Sequence, residues 1–369
     1  VHLTRRELLA AAAVGLITAG CGVDTSAGSD PQTVSPESVT AAGQPLDPRL
    51  TIAAPRSAIA ESTLVDFERA TKVKVVRVER AVTSQFLLQL AAGAQSKADS
   101  EVDVALVDDQ ALSYLISQGL AEPIDRSLIP NLQWLTPPFD NPPYDPRSAH
   151  SIGKDYTAIG FAVATDGVVS PPDTWSGFFK LAHDLPGTVA VPDDSEAVVG
   201  AALLASGHPW SSTSSSDLDD ARKLLTRLRG SLVVEGGIDR STLGSRRLAA
   251  LSSGMGFRNA PLQTKFVVPT EGTAVLMRSY CILAMASDPV SAHAWLNDSL
   301  DPFVARRNVL ANRLASPVSE VDYLLSSPAG QAILTNQAIY PPADVYDKLR
   351  FQTAAGSDAR AALWDEVRA

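Results

Sequence analysis

Cysteine is nearly missing from this chain: 369 residues hold two, Cys21 and Cys281. Two thiols so far apart support neither a disulfide framework nor a cysteine-rich metal site. Histidine is scarce as well, five in all, and His150, His183, His208 and His293 stand far apart with no evident metal-ligating neighbour. No GxSxG elbow, GxxxxGK[ST] loop or HExxH pair occurs, so the local signatures of acyl transfer, nucleotide binding and zinc hydrolysis are absent. The acids in "DSEAVVG" and "LDDAR" stand at helix starts, where they are ordinary caps. The sequence therefore gives no positive reason for an enzyme, a metal or a cofactor. Positive charge is also short: 31 Lys and Arg face 41 Asp and Glu, a formal −10 at pH 7. Nucleic-acid binding rests on Lys and Arg neutralising phosphates, and this balance argues against it. Beyond the N-terminal segment no apolar run reaches spanning length; the longest candidate, 280–286, ends at Ser287-Asp288-Pro289.

What is present begins with "TRRELLAAAAVGLITAGC", from Thr4 to Cys21. Two arginines, a short apolar stretch and small residues at its end read as a cleavable export signal over 1–20. Thr4-Arg5-Arg6 followed by Leu8-Leu9 resembles the twin-arginine motif. Ile17-Thr18-Ala19-Gly20-Cys21 resembles a lipobox, with Thr18 where leucine is usual. On this reading Cys21 is lipidated and anchors the protein on the extracytoplasmic face of the bacterial membrane. Cys281 is then left without a partner, as a buried apolar residue in a strand. Residues 21–48 are rich in Ser, Thr, Pro, Gly and Asp, too polar to bury a core, and read as a flexible tether.

From Leu50 the character changes. With 45% hydrophobic and 20% charged residues the chain is an ordinary globular one. "LTIAA", "KVKVVRVE" and "VDVALVD" read as strands, and "IAESTLVDFERAT", "SQFLLQLAAG" and "DQALSYLISQG" as the helices between and after them. A second set follows. Its strands are "TAIGFAV", "GTVAVPDD" and "AVLMRSYCILAMA". Its helices are "TWSGFFKLA" with Thr174 as N-cap, "SEAVVGAALLASG", "SDLDDARKLLTRLRG" and "PVSAHAWLND". The tail from Ser316 reads as helical, with a break at Pro341-Pro342. This alternation predicts an α/β fold in two lobes, each with a parallel sheet covered on both faces. Ligands of open α/β sheets bind beyond the carboxyl ends of the strands. Those ends are Ala54 to Ala58, Val107 to Gln110 and Pro192 to Asp194, each polar or small and each leading into a helix.

"LTIAAPRSAIAESTLVDFERATKVKVVRV", "VDVALVDDQALSYLISQGLAEPIDRSLIPNL", "TAIGFAV", "GTVAVPDDSEAVVGAAL" and "TEGTAVLMRSYCILA" resemble successive blocks of the spermidine/putrescine-binding proteins of ABC importers. Their order and approximate spacing hold from Leu50 to the C-terminus. The resemblance implies a two-lobed type II periplasmic-binding fold with a ligand cleft between the lobes. Lobe 1 is then 49–158, lobe 2 is 159–277, residues 278–322 return to lobe 1, and C-terminal helices over 323–369 complete lobe 2. The lobes cross near 157–162 and 276–280 and close as a hinge on ligand. The implied partners are a small-molecule solute and an ABC permease, with the binding protein a monomer.

Carried over block by block, the ligand-binding positions are Arg56, Ser57, Asp108, Gln110, Asp194, Ser253, Arg278 and Gln352. Polyamines want carboxylates at their ammonium groups and aromatic faces along their methylenes. The family's aromatic-rich first loop is Ala54-Pro55-Arg56-Ser57-Ala58 here, and its Ser and Tyr after the third strand are Asp108 and Gln110. Its second-lobe acid is kept as Asp194, but its glutamate three residues on is Ala197, with Glu196 alongside. Its second-lobe tryptophan falls at Ser252 or Ser253, and its Trp-x-Asp is Leu276-Met277-Arg278. Gln352 is retained after Phe351. An arginine in place of an amine-binding acid reverses the sign: two like charges about 4 Å apart cost roughly 4 kcal/mol at an effective dielectric near 20, about a thousandfold in affinity. Two readings follow. The pocket prefers a carboxylate-bearing or zwitterionic solute, since Arg captures carboxylates; or Arg56 and Arg278 pair with Asp108 and Asp194 across the cleft. At the level of function, the rivals to a transport receptor are a scaffold or signalling lipoprotein on the same fold and an extracytoplasmic enzyme.

Overall fold

A computed structural model describes residues 45–79, 86, 87, 89, 102–168, 170–244, 246–287, 289–353 and 355–368. The export segment, Cys21 and the tether up to residue 44 lie outside the described residues. So does most of the helix read at "SQFLLQLAAG".

Strands β1 (Arg49–Ala53), β2 (Lys74–Val78) and β3 (Val104–Asp108) are parallel neighbours. Helix α1 (Glu61–Thr71) connects the first two, and α2 (Asp109–Ser117) follows the third. Strand β4 (Ser151–Ala164) comes next. Then come α3 (Trp175–Asp184), β5 (Val189–Pro192), α4 (Ser195–Ala205), α5 (Ser215–Arg227), β6 (Leu232–Glu235) and β7 (Ala249–Ser253). A short turn of helix α6 (Gly254–Phe257), β8 (Thr264–Val267) and β9 (Thr273–Ile282) lead back towards the first strands. Helices α7 (Pro289–Ser299), α8 (Pro302–Asn312), α9 (Val321–Leu324) and α10 (Pro328–Leu334), strand β10 (Leu349–Phe351) and helix α11 (Ser357–Arg368) complete the described chain.

The strand order is β2-β1-β3-β9-β4-β7-β5-β6, with β10 beside β9 and β8 beside β4. The outer strands are parallel to one another, as the alternation predicts. The centre departs from it: β9 runs antiparallel to both β3 and β4, and β4 antiparallel to β7 and β8. A chain that leaves one strand system and later returns must cross the centre in both directions, and this makes the sheet mixed.

Strand β4 carries the architecture. Over 151–158 it pairs with β9, and over 159–164 with β7 and β8. All fourteen of its residues are buried, because neighbours cover it on both edges and both faces. At Gly160 β8 approaches so closely that a Cβ would lie 2.3 Å from the Val267 carbonyl oxygen. Only glycine fits there.

Two large apolar clusters flank this centre. One gathers Leu50, Ile52, Phe67, Val104, Tyr156, Tyr280 and Trp295, and takes in Phe257 and Phe266 together with Ile333, Ile339 and Val345 from the tail. The other packs α3, α4, α5 and α11 on β5 and β7, around Phe161, Trp175 and Phe178. The ring centroids of Phe161 and Phe178 lie 4.9 Å apart, stacked. Local signals hold where they are strong. Thr174 caps α3 by accepting the Gly177 N–H at 3.1 Å, α5 has Asp217 in its first turn and Arg227 in its last, and Cys281 is fully buried in β9. No helix among the described residues is long and apolar enough to cross a membrane.

Candidate functional site

Arg278 lies in β9 with Asp108 opposite it on β3 and Asp155 opposite it on β4. Its partner is Asp155. The guanidinium holds that carboxylate with two bonds, Nε to Oδ1 and Nη2 to Oδ2, each 2.7 Å, the bidentate geometry that makes Arg–carboxylate pairs strong. The expected pairing of Arg278 with Asp108 or Asp194 does not occur. Asp108 ends its strand and turns to cap α2, accepting the Ala111 N–H at 2.8 Å. Asp194 caps α4, accepting the N–H groups of Glu196 and Ala197. Both acids answer to the nearest unsatisfied helix amides.

An irregularity in β4 between Gly153 and Asp155 shifts the register and adds Lys154 to the group. Its ammonium donates to Asp155 Oδ2 at 2.5 Å, and Asn312 Nδ2 donates to the same oxygen at 3.2 Å. Asn312 also bonds the Ala58 carbonyl, tying the first-strand loop to the cluster. Asp155 is 2% exposed and Lys154 7%, so these charges exist only because they face one another. Burial opposes ionisation of Asp155, but Arg278 and Lys154 outweigh it and hold the carboxyl at about 2. Burial pushes Lys154 down, with Asp155 working against it. For Arg278 burial is overcome by Asp155, and its charge is reinforced.

A further cation lies nearby. Arg258, just past α6, donates from Nε to the Asn312 carbonyl at 3.0 Å; burial, then Arg278 and, more weakly, Arg313, push its guanidinium below its ordinary value. Asp109, next to Asp108, brings no dependable counter-charge: burial and then Asp108 raise its carboxyl to about 7.

The other expected residues are placed less centrally. Arg56 is exposed, 4.0 Å from Glu61 and 3.7 Å from Glu79, and Ser57 is exposed beside it. Gln110 is exposed on α2 and Ser253 half-buried at the start of α6. Gln352 is buried directly after β10. Glu196 does not stand in for the missing second-lobe glutamate, since Arg360, 1% exposed, claims it at 2.8 Å. Arg360 also bonds the carbonyls of Thr353 and Ala355, which links the start of α4 to the segment carrying Gln352. Sequence reasoning missed Lys154, Asp155, Arg258 and Asn312. The "KD" inside "SIGKDYTAIGFAVA" was the available signal, two opposite charges inside a strand that is otherwise apolar.

Asp155 has a pH signature. Its folded value of about 2 lies below the ordinary 3.8, so its stabilisation is complete above about pH 4 and is lost as pH falls through about 2. Asp155→Asn leaves Arg278 and Lys154 buried without their anion, and a loss of roughly 3–5 kcal/mol at neutral pH is expected. The gap between variant and parent should close as the solution is acidified through that window. Urea unfolding across pH checks this; equal stabilities at neutral pH would contradict it.

Residues 63–302 match the family of bacterial extracellular solute-binding proteins. Spermidine/putrescine-binding periplasmic protein 1 of Haemophilus influenzae is 24% identical over 312 residues, 81% of this chain and 82% of that protein. A putrescine/cadaverine-binding protein of Pseudomonas aeruginosa is 24% identical over 336 residues, 84% of this chain and 90% of that one. Among solved structures, the spermidine/putrescine ABC transporter substrate-binding protein of Streptococcus pneumoniae has a TM-score of 0.77 at 18% identity, over 88% of this chain and 100% of its own. A GABA receptor has a TM-score of 0.67 at 17% identity, over 88% and 98%. By a match that spans more than half its length, the chain belongs to the bacterial extracellular solute-binding proteins, and its fold is their two-lobed one.

Proposed function

We propose that this protein is the solute receptor of an ABC importer, anchored outside the membrane by lipid on Cys21, and that its cleft favours a carboxylate-bearing or zwitterionic solute over spermidine and putrescine. The lobes are 49–158 and 159–277, with 278–322 returning to the first and 323–369 completing the second. The strands β4 and β9, which cross between them, are the hinge. Ligand favours the closed form by the difference between its affinities for the two forms. The site is built from Arg278, Asp108, Gln110, Asp194, Ser253 and Gln352, with Arg56 and Ser57 at the rim.

One observation carries the choice of solute. Beside Arg278 the buried acid Asp155 is already engaged by Arg278 and Lys154, Asp108 and Asp194 are each bonded to the first amides of a helix, and Arg258 adds a further cation nearby. An amine entering there meets the like charges of Arg278 and Arg258, whereas a carboxylate meets donors. Sharing the fold, the GABA receptor is named for a solute that carries both a carboxylate and an ammonium group. The self-satisfied Arg278–Asp155 pair also suits the second reading, a scaffold that no longer carries a solute; on that reading no member of a broad solute panel raises the melting temperature.

Isothermal titration decides the solute class. GABA, glutamate or another amino acid should bind at least about a hundredfold more tightly than spermidine or putrescine, roughly 3 kcal/mol. Micromolar binding of either polyamine, with none of the acids bound, would overturn the solute assignment.

The anchor is tested separately. A single acyl chain holds a protein to membrane only marginally, so stable anchoring needs the full lipid modification. Cys21→Ser should release the protein from the membrane fraction, and its retention after a carbonate wash would contradict lipidation.

A further inference from the structure

A cavity of about 410 Å³ opens at the far end of α4 from Asp194, walled by the 204–211 segment, by Glu271 and Thr273 at the start of β9, and by Lys348 and Arg350 on either side of Leu349 in β10. Its size suits a small molecule. None of the eight residues assigned to the cleft lines it. Three wall residues hold a buried polar atom with no hydrogen-bond partner among the described residues: Trp210 Nε1, Thr273 Oγ1 and Glu271 Oε2. Three of the fourteen such atoms among the described residues thus belong to the residues of this one wall.

The chemistry of an occupant follows from the charges. Trp210 is 2% exposed and its indole N–H can only donate. It is fixed from above, since a Cβ on Gly200 would lie 2.3 Å from Trp210 Cε2. Lys348 donates to the Thr270 carbonyl at 2.7 Å, and Arg350 to the carbonyls of Asp347 and Leu349. Among the described residues neither cation has a carboxylate within ion-pair distance. His208 is no third cation for a ligand, because its ring nitrogens face Asp217 and Asp220 at 3.5 and 3.1 Å. The one acid in the wall, Glu271, is half-spent: Oε1 accepts the Trp175 N–H at 2.9 Å. Burial raises its carboxyl, so it takes up a proton more readily than an exposed glutamate and then donates as well.

We propose that this cavity is a second ligand site, separate from the cleft, that takes a small carboxylate whose charge is met by Lys348 and Arg350 and whose oxygens are met by the Trp210 N–H and the Thr273 hydroxyl. Butyrate and succinate are the probes, titrated calorimetrically into the full chain and into a Lys348→Ala/Arg350→Ala variant, whose two sites are exposed and whose folding is checked by its melting temperature. Hydrogen–deuterium exchange with each acid present locates the contact. At least one acid should bind the parent, protect 204–211 and 271–273, and bind the variant at least about tenfold more weakly. Absence of binding at millimolar acid, equal affinity in the variant, or protection confined to 54–58 and 276–280 would each overturn the site. The last result would assign these acids to the cleft instead and leave the solute proposed for it standing.

Discussion

Asp155 is the constraint on which the centre of this molecule depends. It is a carboxylate inside a strand buried on both faces, and it has to be answered there or not be charged at all. Arg278 answers it from β9, Lys154 from the shifted register of its own strand, and Asn312 from the end of α8. The cluster ties β4 to β9, the two strands at the centre of the sheet order. Asn312 extends that hold to the first-strand loop through the Ala58 carbonyl, and Arg258 extends it to the corner after β7.

The proposed solute preference rests on the same cluster. A buried ion pair contributes little net stability against an apolar replacement, but removing one member is costly. Once Asp155 is committed to Arg278 and Lys154, an amine can displace them only by leaving buried cations uncompensated. The fold is that of the two-lobed solute-binding proteins, and the proposed preference for a carboxylate rests on this cluster.

Much of this fold was legible in the sequence, because it rests on local periodicity. The apolar spacing of α1, the Thr174 cap and the acid-to-base polarity of α5 all describe elements that form where the pattern places them. The first half of β4 was not legible, since Lys154 and Asp155 break the apolar run and satisfaction of those charges depends on distant residues. Arg278 stood out as a cation at a position where the family resemblance implies an acid, yet its partner is set by strand register and a local irregularity, neither of which spacing reveals. Asp108 and Asp194 read as ligand groups, and in the structure both cap helices, a second use of the same residue type at a strand end that spacing cannot tell from the first. Arg56 reads as a second cleft cation, and its exposed side chain lies near Glu61 and Glu79, acids that only the fold brings beside it.

Native mass spectrometry of the full-length protein purified from its own host tests the central claim most directly. The charge arrangement around Arg278 predicts a co-purifying solute that carries a carboxylate and dissociates when Arg278 is replaced. Spermidine or putrescine riding in the cleft would contradict it, and would mean that Asp108 and Asp194 set its charge preference.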